Sequence, residues 1–172
     1  MQGNQRQTDW SYVAGIMDAD GCFMISKHDR KRFSPTYLPC LKIAMIEIEA
    51  IQFITNVLGY GKYQIDRARK DRKNSKPIFH WYMRNKKEIM PFLENIISFL
   101  KVKQERAKHL LQYCKTVVDC PNCPKGLSEY ELNYREEAYR KMREFNGNKV
   151  AATTKSLRRE SVSDSLNICE SM

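Results

Sequence analysis

Long apolar runs are missing from this chain. None of its 172 residues belongs to a stretch of the roughly 18 apolar residues that a membrane-spanning helix needs, so no transmembrane segment is expected. The first ten residues, MQGNQRQTDW, are polar and hold no signal-peptide core, which points to an intracellular protein with no membrane partner. Acidic charge is scarce as well. Asp and Glu number 20 against 30 Lys and Arg, a formal charge of +10. The imbalance favours an anionic partner, most often nucleic acid.

The basic excess is concentrated. Between Lys62 and Lys87 ten Lys and Arg face only Asp66 and Asp71, and between Lys27 and Lys42 five face only Asp29. The six cysteines lack the spacing of a secreted disulfide scaffold, so reduced thiols are expected. His109, Cys114, Cys120 and Cys123 contain a CxxC pair but match no familiar zinc spacing. A turn carrying two prolines accounts for DCPNCPKG equally well, and a structural zinc is not the expectation.

The hydrophobic periodicity alternates between helix and strand. A first helix starts at a Thr8 or Asp9 cap, carries Trp10, Val13, Ile16 and Met17 on one side, and stops at Gly21. Two strands follow, joined by a basic loop, and EIEAIQFITNVLG then reads as a helix. GKYQIDRA and IFHWYMRN form a second strand pair across a charged loop. Helices over 87–100 and 103–117 come next, and a Ser128/Glu131 capping box opens another that runs to Phe145. Residues 1–150 are expected to form one domain, and 151–172 a flexible polar, basic tail.

This order gives an α+β fold, with an antiparallel four-stranded sheet covered by helices on one face. Phe23, Ile25, Tyr63, Ile65, Phe79 and Trp81 are expected on the covered side. Ser26, His28, Arg30, Lys42, Lys62, Gln64, His80, Tyr82 and Arg84 fall on the other. Such a cationic face suits a DNA groove, but antiparallel sheets often have a merely solvated face.

The stretch WSYVAGIMDADGCFMISK is the unusual one. It places Asp18 and Asp20 at the negative end of a helix dipole, where carboxylates are disfavoured unless something positive lies close by. Gly15 and Ala19 lie on one helical face and let another backbone approach closely. Two such helices would bring their carboxylates together, an arrangement that divalent cations would relieve. The alternative is a buried helix ending in an Asp–Gly turn, and the residues alone leave both open. An EF-hand loop is excluded, because the sixth position from Asp18 is Phe23 and the twelfth is Asp29.

YVAGIMDADGCF resembles the signature of the LAGLIDADG homing endonucleases, and FLKVKQERA (99–107) resembles their PFLKxKQ segment. With the element order, the resemblance covers residues 10 to 117. It implies the αββαββα fold, with a saddle-shaped sheet over double-stranded DNA and the signature helices at a two-fold axis. It also implies metal-dependent cutting of both strands at a long, pseudo-palindromic site. Mg²⁺ would be the cofactor, and Ca²⁺ would support binding without cleavage.

By position, Asp20 would be the metal-binding acid and the Ala19 carbonyl a second ligand, while Asp18 would cap or support helix ends at the interface. Lys103 would position water or stabilise charge near the scissile phosphate. A Gln found near the end of the second strand in several relatives is missing from AMIEIEA; Glu47 and Glu49 are the candidates to stand in for it, the alternative being that either is simply the acidic first turn of the next helix. Asp-Gly occurs once, so one chain carries one signature and a homodimer is expected, with Gly15, Asp18 and Ala19 at the contact.

Base readout would fall to Ser26, His28, Arg30, Lys42, Lys62, Gln64, Asp66, His80, Tyr82 and Arg84. Lys70, Arg72, Lys73 and Lys76 in the loop would hold phosphates. The rival readings are an intron RNA maturase and a DNA-binding protein that has lost cleavage. An organelle, bacterial or phage setting would suit all three.

Overall fold

In the computed structural model of the protein, residues 2–30, 33–66, 76–117 and 127–147 are described. The chain divides into two compact units, residues 1–142 and 143–172. Of the second unit, the described part is residues 143–147, the end of the last helix followed by Asn146 and Gly147. The expected tail, 151–172, lies outside the described residues. No described helix is long and apolar enough to cross a membrane.

The signature segment forms α1, Gln2–Ala19. Thr8 and Asp9 therefore sit inside the helix rather than capping it. No proline interrupts the residues before them, and Gln and Arg are good helix formers. The Ser11 hydroxyl donates to the Gln7 carbonyl across this turn at 2.9 Å.

Two hairpins supply the strands: β1 (Cys22–Arg30) with β2 (Phe33–Met45), and β3 (Lys62–Asp66) with β4 (Ile78–Met83). They join through β2 and β4 into one antiparallel sheet of order β1-β2-β4-β3. Pro39 is tolerated in β2 because β4 pairs with β2 only from Leu41 onward, so no second ladder asks for an N–H there. Between the hairpins lies α2, Ile48–Gln52, which widens into a π-helical turn over Phe53–Val57. Gly61 follows with φ +74°, where a Cβ would lie 2.4 Å from the Trp81 indole nitrogen, so only glycine fits.

Helices α3 (Lys86–Ile96), α4 (Gln104–Thr116) and α5 (Glu129–Phe145) complete the described elements. Asn85 caps α3 by accepting the Lys87 N–H at 3.0 Å. This helix stops short of the expected Leu100. At its end the Phe99 N–H bonds back to the Ile96 carbonyl, tightening the chain into a turn. The Ser128 cap is present, its hydroxyl accepting the Glu131 N–H at 3.2 Å.

The core lies between the sheet and the helices. Phe23, Ile25, Leu41, Ile43, Trp81 and Met83 of the sheet pack with Val13, Met17, Phe92, Leu93, Leu110 and Tyr113. Burying such side chains stabilises by about 1.5–3 kcal/mol each. Tyr63 and Ile65 correct the expectation. Their pairing with Trp81 and Phe79 puts them on the anticipated side, yet they are 37% and 54% exposed. Alternation fixes the side of a strand, not its place across the sheet, and β3 is an edge strand.

Candidate active site and nucleic-acid interface

The last turn of α1 ends in carbonyls without helical partners, next to two carboxylates. Main-chain bonds from the Asp20 and Gly21 N–H groups to the Ile16 carbonyl, at 2.9 and 3.2 Å, close the helix. Gly21 is required by contact: a Cβ there would lie 2.6 Å from both the Cα and the carbonyl oxygen of Met17.

The positive partner of this helix end is Lys103. Its Nζ donates to the carbonyls of Met17 at 3.1 Å, Ala19 at 3.0 Å and Gly21 at 2.7 Å. Asp18 makes the reciprocal contact. Its carboxylate accepts the N–H groups of Lys101 (2.7 Å), Val102 (3.2 Å) and Lys103 (2.8 Å), in the bend that leads into α4. Each helix thus neutralises the other's terminus, a cation on the carbonyl end and an anion on the amide end. Burial works against the charged form of Asp18, but the three N–H groups and the Lys103 charge hold its pKa below the ordinary value.

Lys103 itself is pulled below its usual pKa, first by burial and then by the neighbouring Arg106, against the attraction of Asp18 and Asp20. Arg106, one turn along α4, escaped the sequence reading. Its three-residue offset from Lys103 was the available signal. Cys22 lies in the same field of Lys103, Arg106 and Lys42, yet burial dominates and pushes its thiol pKa up, so it is no ready nucleophile.

Asp20 is exposed, beside the Ala19 carbonyl. An exposed carboxylate and a main-chain carbonyl suit Mg²⁺, which takes hard oxygen ligands and keeps several waters. Among the described residues no group of three or more His, Cys, Asp or Glu is placed to hold a metal. Any ion here would draw its other oxygens from water or from a phosphate.

The Cys22↔Lys42 pairing and the end of β2 at Met45 put Glu47 at the same end of the sheet as Asp20. Glu47 precedes α2 in extended conformation, and its side chain makes no cap hydrogen bond. Glu49 occupies the first turn of that helix.

Across the outer sheet face the pairings line up Cys22, Lys42, Tyr82 and Lys62, and beside them Ala44, His80 and Gln64. Ser26 and His28 extend this face along β1, opposite Leu38 and Thr36. Asp66 Oδ2 lies 2.8 Å from His80 Nε2, and the Arg84 guanidinium sits 5.2 Å from the Tyr82 ring centroid. The face is less uniformly polar than the sequence suggested, for Leu38 and Ile78 are each 42% exposed on it. Arg72, Lys70 and Lys73 lie outside the described residues, and of Arg30 only the backbone is described.

On α1, nothing lies within 4 Å of a Cβ built at Gly15, and Ala19 is exposed. Tyr12 packs edge-on against Phe53 nearby. Of the zinc candidates, His109 Nε2 is 2.9 Å from the Ala138 carbonyl, Cys114 is buried in the core, and Cys120 and Cys123 lie outside the described residues.

A family model described as LAGLIDADG endonuclease matches residues 13–117. Among solved structures, the homing endonuclease I-CvuI in complex with its target (Sro1.3) in the presence of Ca aligns with a TM-score of 0.65 at 21% identity, covering 82% of this chain and 83% of that one. I-CvuI with the I-CreI target in the presence of Mg, its DNA not cleaved, aligns at 0.64 and 19%, again over 82% and 83%. I-GzeII in complex with its DNA target aligns at 0.56 and 17%, over 78% of this chain and 43% of that one. At these identities the likeness establishes the fold. No curated protein sequence matches the chain.

Proposed function

Since the chain belongs to the LAGLIDADG endonuclease family, we propose that it is a homodimeric, divalent-metal-dependent DNA endonuclease that cuts both strands of a long, pseudo-palindromic site. The observation that carries this reading is the end of α1, where the exposed Asp20, the Ala19 carbonyl and Lys103 meet. A bound Mg²⁺ would supply Lewis-acid activation of water and stabilisation of the leaving oxygen. Asp20 and the Ala19 carbonyl would hold it, and Lys103 would supply positive charge for the phosphate. Glu47, uncommitted to capping, is the residue available for the role of the missing Gln.

One chain carries one such acid, so cutting two strands takes two chains. The open surface over Gly15 and Ala19 supports their close approach along α1. The outer sheet face then reads bases with Ser26, His28, Lys42, Lys62, Gln64, Asp66, His80, Tyr82 and Arg84, while Lys76 holds phosphate.

The test is incubation of the purified protein with DNA carrying the intron-free insertion locus, in Mg²⁺ or Ca²⁺, alongside Asp20→Asn. Double-strand cutting in Mg²⁺, binding alone in Ca²⁺, and no cutting by the variant are the expected results. Tight binding without cutting by the wild type would overturn the nuclease reading in favour of a maturase or a DNA-binding protein.

A further inference from the structure

An ammonium group has three N–H donors, and all three of those on Lys103 have partners: the carbonyls of Met17, Ala19 and Gly21 at 3.1, 3.0 and 2.7 Å. In this state the lysine has no donor left for a phosphate or a water. One of its acceptors is the Ala19 carbonyl, the oxygen that a divalent ion would share with Asp20. Two cations on one carbonyl would repel each other at close range, with little bulk water between them.

We propose that Lys103 is a displaceable internal cation. It fills the end of α1 while no divalent ion is bound, and withdraws from the Ala19 carbonyl when one binds, so that its ammonium becomes available to the DNA phosphate only at a loaded site. The inference rests on the metal reading above and adds an order of events to it.

The geometry makes the exchange a local one. Asp18 fixes the main chain of residues 101–103 through three hydrogen bonds, so the mount stays in place while the flexible side chain swings. The Ala19 carbonyl it leaves would face the divalent ion, so the helix end would keep a positive partner. Lysine suits this use because its point charge can leave a carbonyl cage without breaking a planar, bidentate fit.

Competition of this kind is reciprocal: whatever the lysine takes from the ion's affinity, the ion takes from the lysine's hold. Amine labelling of the full chain, read residue by residue by mass spectrometry, tests one direction. In EDTA, Lys103 should label about tenfold more slowly than the exposed Lys101. Saturating Ca²⁺ without DNA should bring it to within about twofold of Lys101, in the wild type but not in Asp20→Asn.

Calorimetric titration with Ca²⁺ tests the other direction. Lys103→Met should bind about tenfold more tightly than the wild type, and Arg106→Met, which removes a neighbouring charge with no contact to the Ala19 carbonyl among those described, should gain clearly less. The labelling arm uses wild-type side chains at the lysine, so it decides the matter even if Lys103→Met fails to fold.

Ca²⁺ binding that needs Asp20 but leaves Lys103 protected would make Lys103 a permanent cap; it would overturn this inference and leave the nuclease reading standing. No Asp20-dependent Ca²⁺ binding without DNA would overturn this inference alone, since the nuclease reading stands or falls on the cleavage assay, where the phosphate is present.

Discussion

Two places in the first unit set a lysine and a carboxylate to work, with opposite results. Where α5 meets the sheet, Glu136 Oε2 accepts from Lys27 Nζ at 2.8 Å and from the Tyr37 hydroxyl at 2.5 Å, and Oε1 accepts from Arg140 at 3.0 Å. Lys27 also lies 5.6 and 6.0 Å from the ring centroids of Tyr37 and Tyr139. The hydrogen bond from Lys27, then that from Tyr37, holds the Glu136 pKa down at about 2. At the junction of α1 and α4 the carboxylate of Asp18 serves main-chain N–H groups, and the lysine serves main-chain carbonyls. The first cluster is closed, since its charges satisfy one another. The second is a frame, and what it frames is the exposed Asp20. A closed cluster holds a fold together; a frame with one free acid can also do chemistry.

The sharpest way to break this contrast is at the free acid. Asp20→Asn should lower cutting by about 10³-fold or more while changing stability by less than about 0.5 kcal/mol, as for an exposed side chain. A large fall in Tm would show that Asp20 belongs to the frame after all. Asp18→Ala is next in size. It leaves the N–H groups of residues 101–103, in the bend before α4, without their charged acceptor, and should cost about 2 kcal/mol, read by urea denaturation. A loss below about 0.5 kcal/mol would mean that water satisfies those N–H groups equally well.

Glu136→Gln comes third and separates the two regions by pH. Glu136 has a folded pKa of about 2 against an ordinary 4.5. Its contribution is therefore fully present above about pH 4.5 and is lost as pH falls through that window toward 2. With solvent screening of a side chain 24% exposed, that contribution is about 1.5 kcal/mol. Glu136→Gln should lose it at pH 7, flatten the acid limb of the stability curve, and leave Ca²⁺ binding unaltered. A variant that keeps the wild-type acid limb would mean the cluster does not hold α5.

The legible parts of the molecule were those written in short-range patterns. The signature helix, both hairpins and the Ser128 cap all follow from spacings of a few residues. The illegible parts depend on where distant segments meet. Asp18 and Lys101 are 83 positions apart, and Tyr37 and Glu136 are 99 apart; no periodicity links such pairs. The resemblance implied that Lys103 positions water or stabilises charge near the scissile phosphate, and no local spacing could show that its ammonium bonds the carbonyls at the end of α1. Tyr63 and Ile65 were assigned to the correct face but to the wrong environment, because strand order is decided by the β2–β4 pairing and not within either hairpin.

The smallest effects should come from the outer sheet face, where charge is neither closed nor framed. Gln64 is exposed on β3 opposite His80, and an amide there can bond an adenine edge in two places. Gln64→Ala should therefore cost about 1 kcal/mol, and only at one base pair of each half-site. Lys76 is exposed just before β4, in the loop read as holding phosphate. Lys76→Met should weaken every site alike and reduce the slope of log affinity against log salt by about 2, roughly 1 for each protomer. Binding curves at two salt concentrations, over a set of single-base variants, separate the two effects. If Lys76→Met changed base preference and Gln64→Ala did not, the readout would lie in the loop, and the sheet face would serve as a cationic platform without a code.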